Sequence, residues 1–276
     1  TLGRFDPITG TNWNRMYHYN SDLVTQFAHE HSQYDDAALK SNFKAALIDE
    51  IDAKLNGPAY LLNTGKRIAL NLQKLAHQAD IVLDLHTGPI SSKHLYCPTY
   101  ATDSARYFNI EHVLLIPSDF DGAMDEASFC PWWHLSNALS AQGRSFNVQV
   151  EAFTVELGSQ EKIDLKEALN DAKSILCYLN HKNVLVDAPH KPANITRYAC
   201  NLDDYFAYYA PIGGMVEYVA PLGGHIKAGE PIAHILRANG VPTSNHTPVS
   251  PGLLSAFSPY SSKVKIMVSS KKRRNL

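Results

Sequence analysis

The stretch "IVLDLHTG", Ile81 to Gly88, sets apolar and β-branched residues around one aspartate and closes on a histidine followed by Thr-Gly. Its length and composition predict a short strand buried on both faces of an α/β sheet. Residues two apart on a strand share a face, so Asp84 and His86 point one way while Leu83 and Leu85 point into the opposite core. His86 falls where the strand ends, and in open α/β sheets the carboxyl ends of strands line the ligand crevice. Taken alone, it is either a polar residue closing a strand or a metal ligand whose ring a nearby carboxylate orients.

Working outward, Leu39, Phe43, Leu47, Ile51 and Leu55 recur every four residues and predict an amphipathic helix from Ala37 to Leu55. "NGP", Asn56 to Pro58, ends it, and a second helix is expected from Gly65 to His77 with Ile68, Leu72 and Leu75 on its buried face. "HVLLIP", His112 to Pro117, and "VQVEAFTVELG", Val148 to Gly158, read as further strands. A helix follows from Ile163 to Leu179 through Ala168, Ala172, Ile175 and Leu176. Between the strands, "SDFDGAMDEASFCPWWHL", Ser118 to Leu135, reads as a long irregular loop that either shapes a pocket or packs on the surface. The alternation of strand and helix predicts an α/β fold, a central sheet flanked by helices. After "DAPHKPAN", Asp187 to Asn194, Gly and Pro punctuate short Tyr- and Val-bearing runs. The expected division is a catalytic domain over 1–190 and a β-rich module over 191–276.

Composition narrows the function classes. The 276 residues carry a formal net charge of -2, with 45% apolar and 19% charged residues, which gives no general pull toward nucleic acid or an anionic membrane. No run reaches the ~18 apolar residues of a membrane span. The basic tail "KKRRNL", Lys271 to Leu276, reads as a solvated terminus. Cys97, Cys130, Cys177 and Cys200 are widely spaced without a C-x-x-C pair, so reduced thiols in a cytoplasmic protein are expected rather than a disulfide scaffold or zinc ribbon.

Four further positions carry chemistry. Glu156 in "FTVELGS" sits among Phe153, Val155 and Leu157, where a carboxylate is costly unless paired or used; it is either a general base or a salt-bridged strand end. Near the start, "GRFDPITGTNWNR" brings Arg4, Asn14 and Arg15, guanidinium forks and an amide suited to holding a carboxylate and a polarised carbonyl.

In this order (Arg4, then "NR", then "DLHTG", then "TVELG", then a β-rich tail) the chain resembles the succinylglutamate desuccinylase/aspartoacylase family of zinc carboxypeptidase-like hydrolases. The resemblance implies a mixed central sheet flanked by helices with a small C-terminal β module, and zinc-dependent cleavage of the amide bond of a small N-acyl amino acid. It implies that His86 is a zinc ligand, Glu156 the general base, Asn14 and Arg15 the substrate-carboxylate pair, and Arg4 the oxyanion-steadying arginine. Asp84 would at most orient His86. The family's first two zinc ligands should lie upstream of Arg4, so a longer natural polypeptide is expected. His29, Glu30 and His31 in "AHEHS" are the available substitutes, but helical neighbours i and i+2 diverge. Metallocarboxypeptidase action on peptides and a catalytically inactive binding or scaffolding relative stay open, as does assembly into homo-oligomers. "GGMVEYVAPLGGHIKAGEPIAHIL" also resembles the half-barrel of biotinyl and lipoyl carriers; with no lysine near "RANG" at 237–240, Lys227 is expected to be an unmodified surface charge.

Overall fold

A computed structural model describes residues 3–58, 62–186, 191–211, 213–227 and 229–236, with the short tail strands at 252–253, 263–266 and 274–275. The chain divides into two compact units, residues 1–84 with 117–153 and residues 85–116 with 154–276.

The first unit is helical. Helix α1 (Ser21–His31) starts at Asn20, whose side chain accepts from the Asp22 and Leu23 amides. Helix α2 (Asp36–Leu55) starts at Asp35, and α3 (Thr64–Gln78) at Asn63, each through one side-chain oxygen on an otherwise orphaned amide. The predicted face of α2 forms the core: Leu39, Phe43 and Leu47 pack with Val24 and Phe27 of α1 and with Trp132, Leu135 and Leu139. Phe43 meets Trp132 edge to face at 5.0 Å.

Those last three residues overturn one expectation. The Ser118–Leu135 stretch is not an irregular loop but leads into helix α5 (Met124–Ala141), which continues through Pro131. The Glu126 carboxylate accepts from the amides of Asp121 and Ala123 and so fixes the helix start. Burial of Ala127, Trp132, Leu135 and Leu139 outweighs the interior proline.

Helix α3 overturns a second. Ile68, Leu72 and Leu75 are exposed, and the buried positions are Gly65, Ala69, Leu70, Gln73 and His77. A row of small and polar residues at i, i+4, i+8 and i+12 faces inward: Gly65 allows close approach of the Trp13 ring and the Met16 sulfur, and Gln73 meets the His18 backbone. A Cβ on Gly65 would lie 2.8 Å from the Trp13 ring and 2.9 Å from the Met16 sulfur.

A six-stranded sheet runs in the order β1-β4-β2-β3-β5-β12: β1 (Ile81–Gly88), β2 (His94–Pro98), β3 (His112–Ile116), β4 (Glu151–Ser159), β5 (Tyr198–Asn201) and β12 (Arg274–Asn275). It is mixed, with β2–β3 and β3–β5 parallel and β2–β4 and β5–β12 antiparallel. The single-turn helix α4 (Thr102–Ala105) follows β2, and strand β3 is buried throughout. Strand β1 is not the doubly buried strand expected: it is an edge among the described strands, and Leu85 is 50% exposed rather than in a core. Helix α6 (Leu165–His181) buries Ser174, Cys177 and Tyr178, while Ala168 and Ala172 are exposed. Strand β2 went unpredicted; Pro98 and the preceding "SSK" hide a five-residue run.

The tail contributes short antiparallel pairs. Strand β7 (Met215–Tyr218) pairs with β9 (Ala233–Leu236), β6 (Phe206–Tyr209) with β11 (Lys263–Ile266), and β8 (His225–Ile226) with β10 (Gly252–Leu253). Residues 187–190, the "RANG" segment at 237–240, and Lys271, Lys272, Arg273 and Leu276 of the basic run lie outside the described residues. No helix among the described residues is long and apolar enough to cross a membrane.

Candidate active site

The predicted residues fall into two groups, one in each unit. In the second unit, His86 near the end of β1 and Glu156 in β4 come together, with His86 Nδ1 3.8 Å from Glu156 Oε1. Glu156 is buried, and its Oε2 accepts no hydrogen bond from the described residues. A buried carboxylate with one oxygen unsatisfied is expensive.

His94, which the sequence reading passed over, lies directly across from Glu156 in the antiparallel β2–β4 register, so the two side chains share a face of the sheet. Its Nδ1 donates to the Ser92 carbonyl at 2.9 Å. Burial pushes its pKa below the ordinary histidine value, opposed by the charge of Glu156 and by the Ser92 bond. Only the pairing of β2, itself unpredicted, could have revealed it.

In the first unit, Asn14 and Arg15 sit on a single 3-10 turn, Trp13–Arg15, opened by the Asn12 side chain accepting from the Asn14 amide. The Asn14 side chain spans two elements: Oδ1 accepts from the Met124 amide at the start of α5 (3.0 Å) and Nδ2 donates to Asp84 in β1 (3.4 Å). Asp84 therefore supports Asn14. Burial and the Asp84 charge push the Tyr17 phenol up to about 12, so it stays protonated.

Arg15 is half exposed. Its Nη1 donates to the Asn14 carbonyl at 2.5 Å, and its Nε meets Asp121 at 3.0 Å in a pair whose acid is 81% exposed. Such an exposed pair is worth about 1 kcal/mol or less, so an incoming carboxylate can displace Asp121 at small cost. Arg4 is exposed, with its guanidinium 5.8 Å from the centre of the Phe5 ring.

His29, Glu30 and His31 do not converge. His31 stacks on Phe27 at 4.3 Å and its Nδ1 donates to the Phe27 carbonyl, while Glu30 accepts from Gln26. Among the described residues no group of three or more His, Cys, Asp or Glu side chains could hold a metal ion. A catalytic zinc needs about three protein ligands, so the described donor set, with His86 as its one candidate ligand, does not by itself fit the metal.

The catalytic-domain model of succinylglutamate desuccinylases and aspartoacylases matches residues 48–182. A succinylglutamate desuccinylase/aspartoacylase family protein from Shewanella amazonensis is 44% identical, with a TM-score of 0.88 over 100% of this chain and 75% of its own. Its counterpart from Shewanella frigidimarina is also 44% identical, with a TM-score of 0.87 over 100% of this chain and 74% of its own. A product-bound structure of the ectoine utilization protein EutE (DoeB) from Ruegeria pomeroyi shares the fold at 16% identity, TM-score 0.59, over 99% of this chain and 69% of its own. No curated protein matches the chain.

Proposed function

Because the chain belongs to the succinylglutamate desuccinylase/aspartoacylase family, we propose that it hydrolyses the amide bond of a small N-acyl amino acid, with zinc held in part by His86. The observation that carries this reading is the His86–Glu156 pair at 3.8 Å, a metal-type ligand beside a buried carboxylate with an unsatisfied oxygen. Glu156 takes the proton of the attacking water at Oε2 and returns it to the leaving amine, general base and then general acid. Arg15, with Asn14 fixing its turn, binds the amino acid's carboxylate after Asp121 gives way. Arg4 is assigned to the developing oxyanion by family resemblance, and Asp84 steadies Asn14.

Zinc, when bound, lowers the pKa of water and polarises a carbonyl. The described residues offer one candidate ligand where about three are needed. A second reading is a binding relative without turnover, which would use the same Asn14–Arg15 turn to hold a carboxylate. All four cysteines are buried thiols, consistent with a reducing, cytoplasmic setting.

The test measures zinc content and release of free amino acid from a panel of N-acyl amino acids and of peptides. Hydrolysis confined to N-acyl amino acids, with zinc lost in His86→Ala, fits the deacylase. Cleavage of C-terminal residues from peptides would make it a carboxypeptidase, and zinc-free protein that binds N-acyl amino acids without cleaving them would make it the inactive relative.

A further inference from the structure

Residues Met16 to His18 follow the 3-10 turn that carries Asn14 and Arg15 and belong to no helix or strand, so their backbone polar groups need partners from elsewhere. Helix α3 supplies them. Lys66 Nζ donates to the Met16 carbonyl (2.5 Å) and the Tyr17 carbonyl (3.2 Å). Gln73 Oε1 accepts from the His18 amide (2.8 Å), and Gln73 Nε2 donates to the His18 carbonyl (2.5 Å). Positions 66 and 73 are two turns apart and share a helix face. An amide side chain carries a donor and an acceptor side by side and so answers both backbone groups of a single residue, and Gln73 is almost wholly buried in doing so.

Lys66 spends its ammonium on backbone carbonyls, and burial lowers its pKa from the ordinary lysine value. A half-buried lysine used this way contributes fixed geometry. From another side, Gly122 crowds the same turn. Its φ is +93°, and a Cβ there would lie 3.1–3.2 Å from the Arg15 carbonyl and Cα, while its own carbonyl accepts from the Tyr17 amide at 3.3 Å. The segment Arg15–His18 is thus held at Met16–His18 by α3 and at Arg15 and Tyr17 by the loop before α5.

We infer that Lys66 and Gln73 are positioning residues for carboxylate recognition: through Met16–His18 they fix the turn that aims the Arg15 guanidinium. The inference rests on the reading of Arg15 as the carboxylate receptor. Bidentate guanidinium–carboxylate recognition depends on direction as well as charge, and a misplacement of about 1 Å can cost on the order of 10²-fold.

The experiment compares Kd for N-acetylaspartate with Kd for its diamide, which lacks both carboxylates, by calorimetry on wild type, Lys66→Met, Lys66→Arg, Gln73→Met and Arg15→Ala. A merely structural loss weakens both ligands alike and leaves their ratio unchanged. The expected result is a preference for the acid in wild type that Arg15→Ala abolishes, that Lys66→Met and Gln73→Met reduce about tenfold, and that Lys66→Arg largely restores. Folded Lys66→Met and Gln73→Met proteins with the wild-type ratio, beside an Arg15→Ala protein that has lost it, would overturn the clamp and leave the Arg15 reading standing. An unchanged ratio in Arg15→Ala would overturn both.

Discussion

Arg15 and Asp121 form an ion pair that a substrate carboxylate would have to replace, so the acid competes for the guanidinium. Asp121→Asn is expected to lower KM for an N-acyl amino acid by about two- to fivefold, the worth of an exposed pair, with kcat unchanged; steady-state kinetics at low ionic strength check it. His86 and Glu156 could be picked out in the sequence because each ends or interrupts an apolar strand, where a polar residue stands out. Asn14 was legible as a polar residue but not as a strut between Asp84 and the Met124 amide. Lys66 and Gln73 were invisible for a physical reason: their partners are backbone groups about fifty residues away, and any residue type can provide a carbonyl.

Periodicity located α2 and its buried face, because Leu39, Phe43, Leu47 and Ile51 pack against apolar neighbours. The same rule chose the wrong face of α3, where the inward row is Gly65, Ala69, Gln73 and His77. Apolar spacing does not register residues buried for close approach, as Gly65 is against the Trp13 ring, or for backbone partners, as Gln73 is against His18. Gly65→Ala separates propensity from packing. Alanine favours the helix by about 1 kcal/mol, yet its Cβ would sit 2.8 Å from the Trp13 ring. Overpacking of this kind costs about 1–3 kcal/mol, so a net loss of stability is expected in urea unfolding. Helix α5 was missed because Pro131 and the aromatic cluster read as irregular, whereas Glu126 capping and the burial of Trp132 hold the helix together.

For the whole molecule, the α/β class and mixed sheet with short C-terminal strands were legible, while the strand order was not, since β2 was hidden and β4 crosses over to lie between it and β1. Global stability should depend on acid through His77. Its pKa is pushed down to about 4, first by burial and then by His18, against a smaller opposing effect of Glu50. Gln73 Nε2 donates to its Nε2 at 3.2 Å, a bond that protonation removes. Because the folded pKa lies below the unfolded value near 6.5, the unfolded chain binds more protons between them. The contribution is complete above about pH 6.5 and is lost as pH falls toward 4, in total about 3 kcal/mol. Urea midpoints at pH 7 and pH 4.5 should therefore differ, and His77→Gln should narrow the difference. Turnover is where the account meets its most direct test, in kcat for N-acyl amino acid hydrolysis and zinc content measured together on wild type and Glu156→Gln. Glu156→Gln is expected to lower kcat by about two to four orders of magnitude with zinc content unchanged; full activity would show that Glu156 is not the base.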